Sequence, residues 1–489
     1  MIIEEIYRQL GGTSNPYRDF TFNITSDNTV KLLSTPNLWG HDPTDNSYWA
    51  GCPAAPYYLE ELTNTIKEAQ TIVDISFLWG LPDGYFLKAV KEGLEALAVS
   101  GRPVVVRILA GGPPSLENYP LKMEKWLRDL LHLPRLPVYV GVTQSNAHSW
   151  NHSKIVAVDG RMAIVGGHNM FNEAYMTFAP VHDVTVKIMG SAAYDAHCFL
   201  NRLWLFCSSY SRSTNPLHNY TRLWHNGEIR NEGLPRVEVR PQKGTGSTRT
   251  LSLGRMGLGL WQLPDQRANP SDSARWLAVK MAKKTFRLSQ QDLGHTVLGF
   301  RPYFLSELAG ALIRGVHVFA VISGDGATSA DGDKYSMLGI RKTASSLKMA
   351  VKMHEKGPKD EPALCKLLAE RMHLAPLCFT DRRPGKWSGV YKGIKREITP
   401  GNHAKVYIVD DNAFYVGSDN AYMHDLQEYG YLIEGDSETR AFLTDYWDKL
   451  WLYSGREEFK DWGNVAAAPF EPETDPAEPW SGEEGQHIG

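Results

Sequence analysis

The chain has 489 residues, of which 42% are hydrophobic and 22% charged. These proportions are ordinary for a globular protein, and the length exceeds what one simple core accommodates, so two domains or one fused double domain are expected. A formal net charge of -3 at pH 7 excludes the global basic field with which proteins bind long nucleic acids.

The cysteines and the first residues narrow the class further. Five cysteines without a Cys-x-x-Cys pair argue against a dense disulfide framework or a cysteine zinc site, although one or two bridges stay open. The opening MIIEEIYRQLGG lacks the basic leader and apolar core of a secretory signal, and no stretch approaches about 18 uninterrupted apolar residues. No membrane-spanning helix is therefore expected.

In chain order, the first predicted elements recur later in the chain. A helical run from Leu62 leads to a strand at 73–77, a helix at 86–97 and a strand at 104–109. The corresponding series starts at Ala274 and continues with a strand at 286–290, a helix at 303–313 and a strand at 316–322. Alternating helix and strand favours the α/β class, and the duplication predicts two fused, pseudo-symmetric α/β/α sandwich halves.

The composition places the limits of these halves. We expect an N-terminal half at 1–245, a C-terminal half at 246–465 and a disordered tail at 466–489, which is rich in Glu, Pro and Gly. A linker is expected at 208–250 because Ser, Thr, Asn and Gly replace the periodic pattern. The stretch 324–400 is predicted to be an irregular insertion beyond the repeat, built around one helix at 363–372.

Each half contains one copy of a longer motif, HSKIVAVDGRMAIVGGHN in the first and HAKVYIVDDNAFYVGSDN in the second. The residues that define the copies are His152, Lys154, Asp159, Gly167 and Asn169, and His403, Lys405, Asp410, Ser418 and Asn420. The His and the Lys lie two residues apart on a predicted strand, so both side chains point to the same face. The motif Asp begins a tight turn and is predicted to be structural.

The turn closes a hairpin. We expect it to place Gly167, and Ser418 in the second half, across from the motif histidine, where a small residue leaves room for a substrate oxygen. Asn169 and Asn420 follow directly, placed to donate amide hydrogens to a substrate or to cap the next helix.

Two such halves facing each other present two imidazoles, two ammonium groups and two amides. This set suits a phosphodiester, whose transition state gathers negative charge on oxygens between an attacking and a leaving atom in line. One histidine attacks phosphorus and the other supplies a proton, but the identical spacing leaves the two roles unassigned.

The doubled H-x-K-x4-D-x6-G-G/S motif resembles that of the phospholipase D superfamily. The segments SWNHSK, LSQQDL, AFYVGSDN and LQEYGYLIE are similar to the secreted bacterial phospholipase D enzymes with transphosphatidylase activity, and the similarity runs from about Leu33 to Leu450. The resemblance implies the phospholipase D fold, with the active site at the interface between the halves. It further implies hydrolysis of glycerophospholipids such as phosphatidylcholine to phosphatidic acid and choline, and transfer to alcohols, with neither metal nor cofactor.

The same resemblance assigns roles. It implies that His152 forms a phosphohistidine and that His403 protonates the departing alcohol, then activates water or an acceptor alcohol. Asp183 and Glu428 match the family's orienting carboxylates. We expect Asp183 to hold His152 and Glu428 to act likewise, the alternative for Asp183 being an ion pair with Lys187.

Other residues near the motifs have two interpretations each. The aromatic residues either line a pocket for headgroup and acyl chains or pack in the core: Trp150, Phe171, Tyr175, Trp387 and Tyr391. The basic segment DRRPGKWSGVYKGIKRE either rests on an anionic bilayer or is a solvated loop. Four scattered histidines do not have the spacing of a metal site: His148, His168, His182 and His424.

The expected partners are a phospholipid bilayer or micelle surface and a water or alcohol acceptor, with no nucleic acid and a monomeric state. By resemblance the protein is secreted or exported, and a cytoplasmic location is the alternative. The competing functions are a nuclease of the same superfamily, a phosphatidyltransferase-type lipid synthase and a catalytically inactive lipid-binding module.

Overall fold

A single mixed sheet runs through the molecule. The computed structural model describes residues 1–41, 54–78, 81–111, 136–143, 150–210, 223–225, 228–229, 237–256, 269–294, 303–381, 386–421 and 426–468. The strands of the first half are β1 (Phe22–Leu32), β2 (Ile72–Leu78), β3 (Val105–Gly111), β4 (Val138–Thr143), β5 (Ile155–Val158), β6 (Met162–Gly166), β7 (Thr185–Met189), β8 (Leu223–His225) and β9 (Glu228–Ile229). Those of the second half are β10 (Thr248–Met256), β11 (Thr285–Ser289), β12 (His317–Ile322), β13 (Met372–Pro376), β14 (Trp387–Tyr391), β15 (Ile394–Ile398), β16 (Val406–Val409), β17 (Ala413–Gly417) and β18 (Gln427–Glu434).

The strand order has an internal two-fold symmetry. Within the described residues, sixteen strands follow one another as β13-β12-β11-β16-β17-β18-β10-β1-β7-β6-β5-β2-β3-β4-β8-β9. Each half contributes three parallel strands followed by an antiparallel hairpin and its neighbour, and the halves meet where β1 pairs with β10. The predicted fold class of two fused α/β halves is confirmed.

Helices cover the sheet. In the first half they are α1 (Ile2–Gln9), α2 (Arg18–Thr21), α3 (Pro56–Lys67), α4 (Gly84–Ser100), α5 (Asn172–Tyr175) and α6 (Ala192–Tyr210). In the second half they are α7 (Pro270–Met281), α8 (Tyr303–Arg314), α9 (Gly339–Met353), α10 (Glu361–Arg371), α11 (Asp436–Phe442) and α12 (Asp448–Ser454), the last two joined by a π turn at Leu443–Trp447. Because the sheet is covered, strands such as β2, β5 and β16 are buried along their whole length and show no polar alternation.

The stretch 324–400 is more regular than the sequence indicated. It contains two helices, α9 and α10, and the strand β13, which pairs in parallel with β12. In the strand order β13 holds the place in the second half that β4 holds in the first, so part of the predicted insertion belongs to the repeat. The Asp360 side chain accepts a hydrogen bond from the Ala363 N–H and so fixes the start of α10.

The chain ends depart from a simple two-part division. Ile3 and Ile6 of α1 are fully buried in the same hydrophobic cluster as Leu253 and Trp462, so the N-terminal helix packs on the second half. None of the helices in the described ranges is long and apolar enough to span a bilayer. The predicted disorder of the tail stays a prediction, since residues 469–489 lie outside the described ranges. The expected export also stays a prediction.

Candidate active site

The two motif hairpins are built alike. Asp159 and Gly160 have φ angles of 54° and 65°, and Asp410 and Asp411 have 48° and 58°, as a two-residue turn of the hairpin type requires. The Asp159 carboxylate accepts from the backbone N–H groups of Gln70, Thr71 and Ile72, and Asp410 accepts from those of residues 283–285. The motif aspartates are therefore structural, as expected, because each ties its turn to the start of the neighbouring strand.

The hairpin register differs by one residue from the expected one. The Gly166 N–H donates to the Lys154 carbonyl at 3.4 Å, and the Gly417 N–H donates to the Lys405 carbonyl at 3.3 Å. The glycine opposite each motif lysine is thus the residue before Gly167 or Ser418. The predicted placement of Gly167 and Ser418 directly across from the histidines was wrong.

Backbone hydrogen bonds join each motif to the other half. The His152 N–H donates to the Gln427 carbonyl at 2.9 Å, and the His403 N–H donates to the His182 carbonyl at 2.7 Å. Gln427 precedes Glu428, and His182 precedes Asp183. Each motif histidine is therefore held beside the carboxylate of the opposite half.

The side chains complete this exchange. His152 Nδ1 lies 2.9 Å from Glu428 Oε2, and His403 Nδ1 lies 2.7 Å from Asp183 Oδ2. Lys187, the alternative partner for Asp183, instead donates to Glu61 at 2.9 Å. The expectation that Asp183 holds His152 was wrong, because the carboxylates orient the histidines crosswise.

The two lysines lie among these pairs. Each donates to the carbonyl of its own motif histidine, Lys154 to His152 at 2.7 Å and Lys405 to His403. Burial lowers the pKa of Lys154 to about 8, against the opposing charges of Glu428 and Asp183. Burial likewise lowers the pKa of Lys405 to about 7, and the charge of Lys154 adds to this shift. Both ammonium groups thus act on carboxylates of both halves, which places the two motifs around one centre.

The His403 pair has a defined charge. Burial and the nearby Lys405 lower the pKa of His403 to about 3, although Asp183 opposes the shift. Burial acts to raise the pKa of Asp183, but His403, His168 and Lys405 outweigh it and hold this pKa well below its usual range. At neutral pH the pair is therefore a neutral imidazole beside an ionised carboxylate. With Nδ1–H donating to Asp183, the lone pair of His403 is on Nε2.

The pair formed by His152 and Glu428 has different charged neighbours. Burial raises the pKa of Glu428 despite the opposing charge of Arg255, which stands opposite Glu428 in the β10–β18 ladder. Arg255 donates to Asp419 at 2.7 Å, and Asp419 follows Ser418 in the second motif. Neither Arg255 nor Asp419 was singled out from the sequence. The signal for Asp419 was its position inside the motif.

The first half has neutral groups at the corresponding places. Thr35 stands opposite Asp183, as Arg255 stands opposite Glu428, and His168 occupies the motif position of Asp419. Thr35 Oγ1 and His168 Nε2 lie 2.6 Å apart, and burial lowers the pKa of His168 to about 4, so this pair is uncharged. An ion pair beside Glu428 and a neutral pair beside Asp183 make the two histidines electrostatically unequal.

The small motif residues, Gly167 and Ser418, support the positions of the two carboxylates. A Cβ atom on Gly167 would lie 2.0 Å from Asp183 Oδ1, so the glycine gives room to the carboxylate that holds His403. The Ser418 hydroxyl accepts from the Tyr429 N–H at 3.0 Å and so helps to fix the strand that carries Glu428. Contact of Gly167 or Ser418 with a substrate stays a prediction.

The motif asparagines keep unused polar atoms. Asn169 and Asn420 are buried, and the Oδ1 atom of each has no hydrogen-bond partner in the structure. Asn169 does not cap the following helix, since the residue at the N-terminus of α5 is Phe171. A buried amide oxygen without a partner is open to a hydrogen-bond donor, whereas the predicted contact with substrate oxygens needs the Nδ2 hydrogens and stays a prediction.

Two tyrosines surround the His403 pair. Tyr175 is fully buried, and its hydroxyl donates to Asp183 Oδ2 at 3.0 Å. The hydroxyl oxygen of Tyr175 also lies 3.0 Å from His403 Nδ1. The Tyr335 ring stands edge-on to the His403 ring, with centroids 5.4 Å apart. Tyr335 comes from the stretch 324–400, where no repeat or motif pointed to it.

The remaining aromatic predictions divide. Trp150 and Phe171 are half-buried, and the Trp150 carbonyl accepts from the Gln427 N–H at 3.1 Å next to the site. Trp387 and Tyr391 are buried in the hydrophobic cluster beneath the second motif, which favours the packing interpretation for these two.

The neighbouring histidines are occupied. His168 contacts Thr35 and Thr185 through its two ring nitrogens, and His182 contacts the Thr35 carbonyl and the Tyr446 hydroxyl. Among the described residues no group of three or more His, Cys, Asp or Glu side chains is arranged to hold a metal ion. His148 and His424 lie outside the described ranges. Cys198, Cys365 and Cys378 are free thiols.

Comparison with known proteins agrees with the fold and with the predicted resemblance. No family model matches the chain. It is 29% identical over 474 residues to a phospholipase D of Streptomyces antibioticus, an alignment that covers 86% of this chain and 80% of that protein. Its fold is similar to the crystal structure of a phosphatidylserine synthase from Haemophilus influenzae Rd KW20, with a TM-score of 0.55 and 11% identity over 95% of this chain and 93% of the other.

Proposed function

Because this chain belongs to the phospholipase D superfamily, we propose that it hydrolyses the distal phosphodiester of glycerophospholipids such as phosphatidylcholine and transfers the phosphatidyl group to alcohols. The observation that carries the proposal is the crossed pairing of His152 with Glu428 and of His403 with Asp183, with both motif lysines buried among them. Two oriented imidazoles and two cations are the groups that in-line displacement at a phosphodiester needs.

In the proposed first step, His152 Nε2 attacks phosphorus and the bond from phosphorus to the headgroup oxygen breaks. His403 gives its Nε2 proton to that oxygen, so the headgroup leaves with a hydroxyl group and not as an alkoxide, and the phosphatidyl group is joined to His152. In the second step His403 takes a proton from water or from an acceptor alcohol, whose oxygen displaces His152 from phosphorus. Both histidines return to their starting states.

The charge of His403 sets a condition on this sequence. A neutral His403 is ready for the second step, in which it acts as a base, but it must gain a proton before the first step. A bound phosphodiester anion raises the pKa of a neighbouring imidazole and so favours that gain. The assignment of the nucleophile to His152 rests on the family resemblance.

The product assay uses phosphatidylcholine vesicles with and without ethanol. We expect choline release in both mixtures and phosphatidylethanol only with ethanol, because a phosphatidyl–enzyme intermediate partitions between water and alcohol. A protein that forms neither product, but cleaves duplex DNA or transfers a phosphatidyl group only to serine, has one of the competing activities. A protein that binds vesicles without turnover is the inactive lipid-binding module.

A second experiment assigns the nucleophile. Rapid alkaline quenching preserves phosphohistidine, and peptide mass spectrometry then identifies the modified histidine. We expect the phosphatidyl adduct on the peptide that contains His152. An adduct on the His403 peptide reverses the two roles and leaves the reaction class unchanged.

A further inference from the structure

The antiparallel hairpin formed by β14 and β15 stands apart from the main sheet. The two strands pair with each other from Trp387 with Ile398 to Tyr391 with Ile394, and no other described strand joins them. Lys392 and Gly393 form the turn, with φ angles of 49° and 79°. The hairpin falls within the basic segment for which the sequence left a bilayer contact and a solvated loop both open.

The base of this hairpin is fixed to the protein. Trp387 and Ile398 are buried, and the Trp387 ring meets Phe379 edge-on with centroids 5.7 Å apart. Further along, the Tyr391 ring stacks on Phe178 at 6.5 Å. A two-stranded hairpin is marginal by itself, so these contacts hold it in place.

The tip of the hairpin is apolar and exposed on both faces. Val390 is 61% exposed and Ile394 is 58% exposed. Val390 pairs with Lys395 on one face, whereas Ile394 pairs with Tyr391 on the other, so the two side chains point to opposite sides of the projecting end. Among the described residues, the other strongly exposed large apolar side chains occur singly along the chain, for example Val99 on α4 and Met353 on α9. A solvated turn has no need for two such side chains.

The charges around the tip have one predominant sign. Residues 386–398 contain four basic side chains and one acidic side chain, in a chain whose formal net charge is -3. Lys392 and Lys395 flank the apolar residues and are exposed. Apolar side chains ringed by lysine and arginine are the combination with which peripheral proteins enter the headgroup region of anionic bilayers.

The hairpin also adjoins the candidate active site. Lys392 Nζ lies 3.8 Å from Glu173 Oε2 on α5, the helix that carries Tyr175 to His403. At its other end, only four residues separate β15 from His403 itself. An element seated on a lipid surface at this place positions that surface next to the catalytic histidines.

We propose that this hairpin tip is a membrane anchor for anionic bilayers, in which Val390 and Ile394 enter the acyl boundary while the surrounding basic side chains contact anionic headgroups. The role of the anchor, to hold the site at the lipid surface, rests on the proposed phospholipid substrate. Binding to the bilayer itself does not, since it needs only the tip.

The binding test measures co-sedimentation with vesicles of phosphatidylcholine with or without phosphatidylglycerol. All proteins carry His152→Ala so that the lipid is not consumed. Val390→Ser with Ile394→Ser is expected to weaken binding to the mixed vesicles at least about tenfold, because two side chains lose their apolar contact with the bilayer. Val99→Ser with Met353→Ser, which removes two even more exposed apolar side chains elsewhere, is the matched control and is expected to bind like the parent.

The charge contribution has its own pair of variants. Lys395→Glu on the hairpin is expected to weaken binding to the mixed vesicles about tenfold, whereas Lys366→Glu on α10 changes it little. The proposal is overturned if phosphatidylglycerol does not strengthen vesicle binding by the parent protein, or if the hairpin variants bind vesicles as tightly as the controls do. Thermal midpoints equal to that of the parent show that the tip variants are folded.

A third measurement separates this proposal from the proposed function. This measurement uses proteins that keep His152 and are therefore active. The hairpin variants are expected to cleave short-chain, monomeric phosphatidylcholine at the native rate and vesicles at least about tenfold more slowly. If hairpin-dependent vesicle binding is present but neither substrate is cleaved, the anchor stands and the proposed function fails. If the hairpin variants cleave both substrates at the native rates, the proposed function stands and the anchor fails.

Discussion

His152 and Glu428 are separated by 276 residues, yet Nδ1 of the histidine lies 2.9 Å from Oε2 of the glutamate. The second histidine, His403, is held in the same way by Asp183 of the first half. Each pair therefore consists of a histidine from one half and a carboxylate from the other.

This crossing predicts opposite consequences for the two carboxylates. Asp183→Asn weakens the proton transfers of His403 and leaves His152 oriented. With a substrate whose leaving group needs no proton, such as a nitrophenyl ester, the first step proceeds and the histidine adduct accumulates, because the second step still needs a base. Glu428→Gln weakens the attack by His152, so no adduct accumulates. Quenched-flow mass spectrometry measures the adduct, and an adduct in Glu428→Gln alone contradicts the crossed assignment.

Loss of either motif histidine is expected to abolish turnover. His152→Ala and His403→Ala should each reduce kcat by several orders of magnitude, since one removes the nucleophile and the other its proton partner. The release of choline from phosphatidylcholine measures this. His317→Ala, which alters an exposed histidine on β12, serves as a control and should retain native activity. Substantial activity in either motif variant is incompatible with the mechanism.

The lysines predict a loss of activity at alkaline pH. A lysine whose pKa is lowered gives up its charge as the pH rises through that value, and the values here are about 7 for Lys405 and about 8 for Lys154. The kcat/KM, which reports the free enzyme, should therefore fall as the pH rises through this range. Lys405→Arg keeps the charge and is expected to move the decline to higher pH. A flat profile across both values argues against the need for charged lysines.

The Tyr175 hydroxyl is predicted to position the His403 pair. Tyr175→Phe removes the donor to Asp183 and should lower kcat about tenfold to a hundredfold, with a smaller change in KM. Tyr431→Phe is the matched control, because Tyr431 is also fully buried but donates to the Ala192 carbonyl away from the site. If both variants lose activity in parallel, the effect of Tyr175 is structural and not specific to His403.

The motif aspartates are expected to stabilise the fold to different degrees. Asp159 is buried and accepts from Thr71 Oγ1 in addition to three N–H groups, whereas Asp410 is half-buried and accepts from three N–H groups. Asparagine tolerates the left-handed backbone of both positions, so each Asp→Asn change reports the loss of the charge and of one accepting oxygen. We expect a loss of about 2 kcal/mol at Asp159 and about 1 kcal/mol at Asp410. Urea unfolding measures both, and equal losses contradict the difference.

Much of the fold was predictable because the same series of helices and strands occurs twice in the sequence. The predicted strand at 73–77 falls within β2, and the one at 286–290 overlaps β11 in all but its last residue. The motif turns at Asp159 and Asp410 have the predicted form. Periodicity and turn chemistry are local properties, so one sequence suffices to detect them. The stretch 324–400 was misjudged because charged residues and Gly/Pro breaks surround β13 and hide its correspondence to β4.

The site was predicted in its members and not in its pairings. His152, His403, Asp183 and Glu428 were all identified, since the motif copies and the resemblance mark them. Which carboxylate meets which histidine depends on how two halves pack, and equal spacings within each half contain no information on that. Tyr335 and Arg255 were missed for a related reason, because each reaches the site from a segment that has no motif.

The backbone links between Gln427 and His152, and between His182 and His403, have a consequence for the origin of the chain. A lone half would present a histidine without its carboxylate, so a one-motif precursor could work only as a pair of identical subunits. Joining the two copies in one polypeptide releases them from identity. Thr35 with His168 on one side and Arg255 with Asp419 on the other show how far the two copies differ around the shared site.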